Sequence, residues 1–385
     1  MNGVIRESVL RSLSAVGAID EAHFYAELFS SQDAERFALI VIDPRCLKNP
    51  LLEALIGNLR ILSDLGLSPI LLVGALDHDR TSIKFQSQRL AKDLDQASVK
   101  TAKLNTASYQ LIPDVRKKAR AGMITILEMT ERRGKMNLMT LITELRSKKV
   151  IFLQPSGGIT VNNKRLSNIN LDQLDAGDLQ DNLTAGQMRF VTLVQELSKD
   201  KTNHAVYVIA SPLNLLPELF TAKGSGTMIR RAAPIKKVQT LARLKKDLLK
   251  DSIDEAFGKS VRPNFLRGKI YQGFIEANYR GGAIFTQLAD MPYLSKFWVT
   301  KEARGEGIAR DIWDAMIVDI PSFFWRSRMG NPFNDWYMRA CDGMQVSGDW
   351  RVFWKGLEAS QVPGAITAAA SGTDDFLTLP KPNSL

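Results

Sequence analysis

The sequence has few cysteines and few histidines. Its 385 residues include two cysteines, Cys46 and Cys341, and three histidines, His23, His78 and His204. Two distant thiols cannot build a disulfide framework or a zinc cluster, and three scattered imidazoles argue against a metal centre. We therefore expect no metal cofactor and a reducing compartment.

Long apolar runs are also missing. No stretch approaches the roughly 20 apolar residues of a membrane-spanning helix, so we expect no transmembrane segment. Residues 1–18 contain Glu7 and have no continuous apolar core, which argues against a secretory signal. Their Arg, Ser and Leu content weakly resembles a transit peptide, but an amphipathic helix is the simpler interpretation. We expect a cytoplasmic protein, or a mitochondrial matrix protein in a eukaryote.

The positive charge is concentrated in one segment. The formal net charge is +10, and eight basic residues cluster near the middle of the chain: Arg230, Arg231, Lys236, Lys237, Arg243, Lys245, Lys246 and Lys250. Such a cluster is typical of a solvated helix face or a linker. A nucleic-acid-binding role would depend on charge alone, because no zinc finger, RNA-recognition motif or basic heptad region accompanies it. We expect neither nucleic acid nor a membrane as a partner.

Composition divides the chain into two unlike parts, because all six tryptophans lie at or after Trp298. In the first part, short apolar strands alternate with helical patterns, which predicts βαβ units and a mostly parallel sheet. The predicted strands are 37–42, 69–73, 150–153 and 206–210, with a helix at 51–65. The predicted domains are 1–235, a basic linker at 236–250, a second domain at 251–360 and a flexible tail at 361–385.

A strand, a glycine-containing loop and a helix follow one another between residues 293 and 319. The loop is formed by Arg304, Gly305, Glu306, Gly307, Ile308 and Ala309. Glycines let the backbone approach a bulky anion, and the first turn of the helix offers N–H groups and a positive dipole end to a pyrophosphate. The pattern predicts a phosphate-binding loop. A glycine-tightened turn without a ligand is the alternative.

Three cations lie in apolar strand patterns. Arg326 and Arg328 are two residues apart on a predicted strand, so their side chains share a face. Lys296 lies inside the apolar run 293–299. Burying these cations is costly unless anions pair with them, and arginine matches carboxylate oxygens bidentately. The set predicts a pocket for a substrate with more than one carboxylate. Pairing of each cation with a structural Asp or Glu is the alternative.

Three segments carry a family resemblance: YLSKFWVTKEARGEGIA, FFWRSRMGNPFNDWYMRACDG and WRVFWKGL. They resemble the acetyltransferase domain of vertebrate-type N-acetylglutamate synthases and of bacterial bifunctional N-acetylglutamate synthase/kinases. These enzymes have the Gcn5-related N-acetyltransferase (GNAT) fold, whose Arg/Gln-x-x-Gly-x-Gly/Ala loop is matched by Arg304, Gly307 and Ala309. The resemblance spans most of 251–358.

The resemblance implies an N-acetylglutamate synthase, the first enzyme of arginine biosynthesis, with acetyl-CoA as co-substrate and L-glutamate as acceptor. The implied acetyl-CoA-binding residues are Val299, Arg304, Gly305, Gly307, Ile308 and Ala309. The implied glutamate-binding residues are Lys296, Arg326, Arg328 and Asn331. Tyr337 matches the tyrosine near the thioester sulfur, where it would protonate the departing thiolate after direct attack by the α-amine. A backbone N–H near Val299 would stabilise the oxyanion, and no general base stands out.

The first part resembles the amino-acid-kinase fold of acetylglutamate kinases, in IFLQPSGGI, LSNINL and SPLNLLPELFTAKGSGTMIRR. The implied fold class is therefore α/β, with an amino-acid-kinase-like parallel-sheet sandwich followed by a GNAT domain. This chain differs from those kinases at residues that the resemblance assigns to catalysis. Asp43 and Pro44 stand in the family's Lys-x-Gly-Gly loop, and Val191 stands where a lysine is expected. Phosphoryl transfer depends on positioned cations and backbone donors. We therefore expect no kinase activity.

Relatives also imply a homo-oligomer, a tetramer formed through the kinase-like domain, and L-arginine as an effector bound near Glu218 to Met228. The alternative is that the segment KGSGT, within this range, only closes a turn and binds no effector. Two other functions stay open. One is acetyl transfer to another acidic amine, and the other is a catalytically weak, arginine-binding regulatory partner of an acetylglutamate kinase.

Overall fold

A computed structural model describes residues 19–31, 33–76, 79–130, 137–172, 183–199, 205–221, 224–331, 333–373 and 375–377. The chain divides into two compact units, Met1–Arg231 and Ala232–Leu385. The helix predicted at 1–18, and the side chains of His78 and His204, lie outside the described residues. No helix within the described ranges is long and apolar enough to cross a bilayer.

The first unit is an α/β sandwich. Its strands are β1 (Leu39–Ile42), β2 (Ile70–Val73), β3 (Thr101–Asn105), β4 (Ile124–Glu128), β5 (Lys149–Leu153), β6 (Thr160–Val161), β7 (Lys164–Arg165), β8 (Asn168–Asn170), β9 (Val206–Ala210) and β10 (Thr227–Arg230). Its helices are α1 (Ile19–Ser30), α2 (Leu51–Asp64), α3 (Arg80–Gln96), α4 (Leu111–Arg120), α5 (Leu138–Leu145), α6 (Ala185–Leu197) and α7 (Leu215–Phe220).

The main sheet of this unit runs in the order β3-β4-β2-β1-β5-β9-β10-β8. Every pair of neighbours is parallel except β9 and β10. Ile40 and Ile42 of β1 face one apolar core, while Leu39 and Val41 face the other. A strand buried on both sides needs an uninterrupted apolar run, which is why the pattern at 37–42 predicts it. The predicted strands and the mostly parallel sheet are confirmed.

The second unit holds one mixed sheet and five helices among its described residues. Its strands are β11 (Ile235–Val238), β12 (Gln272–Glu276), β13 (Gly281–Leu288), β14 (Met291–Val299), β15 (Phe323–Arg328), β16 (Gly343–Ser347) and β17 (Trp350–Lys355). Its helices are α8 (Lys246–Phe257), α9 (Pro263–Arg267), α10 (Ile308–Asp319), α11 (Asn334–Ala340) and α12 (Val362–Ser371).

The second sheet runs in the order β11-β12-β13-β14-β15-β17-β16. Its neighbouring strands are antiparallel except β14 and β15, which are parallel and share the single pair Tyr293–Phe324. Beyond that pair the two strands run on to Val299 and Arg328 without pairing to each other. We call this separation the β14–β15 split. A β-bulge at Ser295 lies beside it, because Ile284 pairs with Lys296 while the next residue pairs with Leu294.

Alternating residues give the second sheet two apolar faces. Helices α10 and α11 pack on the face formed by Phe274, Phe285, Phe323, Trp325 and Phe353. Helices α8, α9 and α12 cover the opposite face, formed by Ile275, Ile284, Trp298, Phe324 and Val352. The split therefore opens between two separate layers of helices.

Two segments differ from the sequence expectation. Residues 236–250, expected as a linker, form most of edge strand β11 and the start of α8. Lys236 and Lys237 are exposed there, and lysines on an edge strand discourage pairing with other chains, so the strand resembles a charged linker in sequence. The tail expected at 361–385 includes α12, whose Ala365 and Ala369 are buried against the sheet. Alanines four residues apart form one narrow helix face, which their composition alone does not reveal.

Phe285 tests the core of the second unit. We expect Phe285→Ala to lower the free energy of unfolding by about 3–5 kcal/mol, because the ring is fully buried between Phe274 and Phe323. Urea denaturation followed by tryptophan fluorescence measures this unit selectively, since all tryptophans lie in it. Gln287→Ala, an exposed position on the same strand, should change stability by less than about 0.5 kcal/mol. Equal effects of the two substitutions would contradict the assigned core.

Candidate active site

The loop between β14 and α10 exposes backbone donors. Gly305 and Gly307 have φ of +83° and +81°, a left-handed conformation that glycine adopts without steric cost. Helix α10 begins directly after them at Ile308. The N–H groups of Gly305, Ile308 and Ala309 make no hydrogen bond to any described residue. Three amides without a described partner at the positive end of a helix have the geometry that anion-binding loops use. Anion binding at this loop stays a prediction.

Arg280 holds this loop at both of its ends. Its carbonyl oxygen accepts a hydrogen bond from Thr300 N at 2.8 Å, and its Nη1 donates to Glu306 Oε2 at 2.8 Å. Its Nη2 donates to Glu276 Oε1 at 3.2 Å, and the Glu276 side chain is 0% exposed. Burial acts to lower the pKa of Arg280, but the hydrogen bonds and charges of the two glutamates outweigh it and raise the pKa. No motif in the sequence identified Arg280.

The side chain of Arg304 anchors the loop. Its Nε donates to the Val299 carbonyl at 3.3 Å, and its Nη2 donates to the Ala256 carbonyl at 3.0 Å. The guanidinium lies 5.7 Å from the centre of the Phe333 ring. Arg304 therefore ties the loop to the end of β14 and to the last turn of α8. The loop backbone is left to face an anion.

Lys296, Arg326 and Arg328 lie on one face of the sheet, the face covered by α8, α9 and α12. Lys296 Nζ lies 4.5 Å from the centre of the Phe265 ring of α9. The guanidiniums of Arg326 and Arg328 lie 4.1 and 3.9 Å from the centre of the Trp350 ring. The shared face of the two arginines follows from their spacing of two residues. The structure thus places the three predicted cations on the two strands that bound the split.

Each of these cations also contacts polar groups of the chain. Lys296 Nζ lies 2.5 Å from Asp375 Oδ2. Arg328 Nη1 lies 3.5 Å from Asp349 Oδ2, and both of those side chains are at least half exposed. Arg326 donates instead to backbone carbonyls of the C-terminal region. Pairing with structural carboxylates, the alternative to a substrate pocket, therefore describes part of the observed geometry.

Asn331 lies in the turn after β15. Its Nδ2 donates to Ser327 Oγ at 2.8 Å, and its Oδ1 accepts from Phe333 N at 3.0 Å. These two bonds connect the end of β15 to the approach to α11. They hold the amide at Ser327, which lies between Arg326 and Arg328 in the sequence.

Tyr337 lies on the opposite face of the sheet. Its ring centre is 6.4 Å from that of Phe297 in β14 and 5.6 Å from that of Trp325 in β15, so it packs against both strands of the split. Burial raises the pKa of the Tyr337 hydroxyl. The phenol therefore stays protonated at neutral pH and is available as a hydrogen-bond donor.

Comparison with known families decides which of the candidate chemistries this unit carries. Residues 231–371 match the family model NAT, the N-acetyltransferase of N-acetylglutamate synthase. This part of the chain is therefore similar to the acetyltransferase domain that the model describes. The features described above therefore lie in a domain similar to an acetyltransferase. They are the loop amides, the split between β14 and β15, and the placement of Tyr337 and the cations on opposite faces of the sheet.

Several relatives extend over both units. The chain is 29% identical over 397 residues to the acetylglutamate kinase of Xanthomonas campestris pv. campestris, across 87% of this chain and 93% of that protein. It is 32% identical over 249 residues to the mitochondrial N-acetylglutamate synthase of Homo sapiens, across 63% of this chain and 47% of that protein. The acetyltransferase domain is therefore found with a kinase-like unit in relatives of similar length.

Solved structures agree on the fold. N-acetylglutamate synthase from Neisseria gonorrhoeae, complexed with coenzyme A and N-acetyl-glutamate, matches with a TM-score of 0.51 and 17% identity over 88% of this chain and 99% of that one. The same enzyme complexed with coenzyme A and L-arginine matches with a TM-score of 0.50 and 15% identity. The predicted fold class is confirmed: a kinase-like parallel-sheet unit precedes an acetyltransferase domain.

Arg280 should stabilise the acetyltransferase domain beyond its contacts in the loop. We expect Arg280→Met to lower the free energy of unfolding by about 3 kcal/mol, because Glu276 would keep a buried charge without its cation. Adding Glu276→Gln should recover much of this loss, since no buried charge then remains. Arg310→Met is the control, because Arg310 pairs with Asp314 and both side chains are more than half exposed. Equal losses in Arg280→Met and Arg310→Met, measured by urea denaturation, would refute the assignment.

Proposed function

We propose that this chain is an N-acetylglutamate synthase, which transfers the acetyl group of acetyl-CoA to the α-amine of L-glutamate. The observation that carries the proposal is the β14–β15 split. It has free loop amides at one end, a buried tyrosine on one face and three cations on the other. A thioester and a dicarboxylic amine can meet there from opposite faces.

Acetyl-CoA would bind along β14. The diphosphate would accept hydrogen bonds from the amides of Gly305, Ile308 and Ala309, and the α10 dipole would add to the attraction. An extended pantetheine chain can hydrogen-bond to the β14 edge that β15 leaves unpaired, as a peptide does when it extends a sheet. Val299 would then lie beside the thioester end of the co-substrate.

Glutamate would bind on the cationic face. Two carboxylates match Lys296, Arg326 and Arg328, because guanidinium groups hold carboxylates bidentately. Trp350 stacks against both guanidiniums and restricts their orientation. Asn331 would add an amide contact. Three positive charges would repel a cationic acceptor such as lysine.

Acetyl transfer would then need little further machinery. The neutral α-amine attacks the thioester carbonyl, the N–C bond forms, and the C–S bond breaks. A backbone N–H near Val299 would stabilise the oxyanion. Tyr337 would protonate the departing thiolate and regain a proton from water, and the burial that raises the pKa of the phenol also raises that of the thiol. The proton lost by the amine would pass to water.

The first unit supports the absence of kinase chemistry. Asp43 follows β1 where a phosphate loop would need a cation, and its carboxylate is held by the Arg45 guanidinium at 2.7 and 2.9 Å. Gly74 follows β2 with φ of +98°, and a side chain there would lie 2.6 Å from the Met129 carbonyl. A carboxylate and a crowded turn are poor partners for ATP phosphates.

L-Arginine as an effector and a tetramer formed through the kinase-like unit belong to the same proposal. Glu218 itself is not an open arginine site, because it pairs with Lys149 Nζ at 3.1 Å and accepts from Ser225 N and Gly226 N at 2.8 and 2.9 Å. An effector would have to contact other groups nearby. We place the protein in the cytoplasm, or in the mitochondrial matrix in a eukaryote, where glutamate and acetyl-CoA are available.

The proposal is tested by thiol release from acetyl-CoA with a panel of acceptors. We expect L-glutamate to exceed L-glutamine and L-lysine in kcat/KM by at least about 100-fold, because neither of these acceptors has the second carboxylate that the three cations would bind. Tyr337→Phe should lower kcat by about 100-fold or more, with the KM for glutamate nearly unchanged. Tyr271→Phe, at an exposed tyrosine, is the control.

Other outcomes of this assay would point elsewhere. Comparable rates with glutamine would make the chain an acetyltransferase for another amine. No thiol release with any acceptor, despite coenzyme A binding, would favour a regulatory partner of an acetylglutamate kinase.

A further inference from the structure

The described residues after α12 lie across the cationic face of the acetyltransferase domain. We call Gly372, Thr373, Asp375, Phe376 and Leu377 the C-terminal strap. The strap follows the segment matched by the family model, which ends at residue 371. It is held by two backbone hydrogen bonds, from Arg262 N to the Asp375 carbonyl and from Leu377 N to the Ser260 carbonyl, each 2.8 Å.

Asp375 forms an ion pair with the ammonium group of Lys296. Its Oδ2 lies 2.5 Å from Lys296 Nζ and also accepts from Ser295 Oγ at 3.0 Å. The Phe376 ring centre lies 5.0 Å from the same ammonium. The Lys296 side chain is 4% exposed, so a carboxylate from solution cannot reach it while the strap is in place.

The strap also contacts Arg326. Nη1 of Arg326 donates to the carbonyls of Ala369 and Gly372 at 2.6 and 2.8 Å, and its Nη2 donates to the Thr373 carbonyl at 2.8 Å. The end of α12 and the strap thus satisfy a second cation of the proposed glutamate site. Two of the three cations are held by one continuous segment.

We propose that Asp375 is an internal carboxylate that competes with the acceptor for Lys296, so that a dicarboxylate must displace the strap to bind. This inference rests on the proposed function. A buried cation is not left without an anion, so Asp375 leaves only when another carboxylate replaces it. A ligand with one carboxylate, bound at Arg328, supplies no replacement. A dicarboxylate supplies one, and at Arg326 it exchanges neutral carbonyls for a charge-assisted hydrogen bond.

The competition lowers the apparent affinity of the acceptor. When only a fraction of the molecules have an open site, the apparent Kd of the ligand equals the intrinsic Kd divided by that fraction. Because the strap is part of the same chain, its effective concentration is on the order of millimolar, comparable with a metabolite. Asp375 therefore selects for dicarboxylic acceptors and sets the glutamate concentration at which the site fills.

The first test is calorimetric binding of glutarate, a five-carbon dicarboxylate without an amine, to the full chain. We expect Asp375→Asn to lower the Kd for glutarate about fivefold or more, because the strap then lacks its charge. Asp290→Asn removes the same charge at an exposed turn residue with φ of +58°, which asparagine tolerates, and should leave the Kd unchanged. An unchanged or raised Kd in Asp375→Asn would overturn the inference, as would no glutarate binding to either form.

The second test is hydrogen exchange of the strap in the wild-type chain. Glutarate should accelerate exchange at the Leu377 amide, whereas butyrate at the same concentration should not. Unchanged or slower exchange with glutarate, or equal acceleration by butyrate, would contradict displacement. Neither test requires turnover. Strap release without any acetyl transfer to glutamate would refute the proposed function alone, and turnover without strap release would refute this inference alone.

Discussion

A single backbone pair, Tyr293 with Phe324, joins the parallel strands β14 and β15. The arrangement of the proposed site in the acetyltransferase domain depends on this limited pairing, because most of β14 and β15 forms no backbone pairs between the two strands. Backbone N–H and C=O groups away from water need partners, so an unpaired strand edge in the middle of a sheet is a place for a ligand. Aromatic rings close one side of the split through Phe297 and Trp325. The cations lie on the other side, so donor and acceptor have separate approaches.

Buried charge in this domain is held in defined pairs. Arg280 pairs with both the inaccessible Glu276 and Glu306 of the loop between β14 and α10, so each carboxylate has the guanidinium within hydrogen-bond distance. Lys296 is neutralised by Asp375 in the absence of a ligand. The contacts of Arg280 hold the loop after β14, whereas the Lys296–Asp375 pair is the one that we propose is exchanged for a substrate carboxylate. The same physical requirement thus produces rigidity at one end of the site and selectivity at the other.

Local patterns predicted the strands and the glycine loop around the proposed site, whereas its long-range pairings are visible only in the structure. The buried strands of the first unit and the Gly305–Gly307 loop follow from apolar runs and glycine spacing, which short segments reveal. The partner of Lys296 lies 79 residues away, so nothing near Lys296 in sequence identifies Asp375. Family resemblance proposed roles for Lys296 and Tyr337, but only the structure shows that they approach the split from opposite faces.

A crystal structure with coenzyme A and N-acetyl-L-glutamate bound tests the central claim most directly. The account predicts the diphosphate on the amides of Gly305, Ile308 and Ala309, with the thiol between β14 and β15 beside Tyr337. It predicts the two carboxylates of N-acetyl-L-glutamate on the face of Lys296, Arg326 and Arg328. A coenzyme A thiol outside the split, or the acid bound on the α10–α11 face, would contradict it.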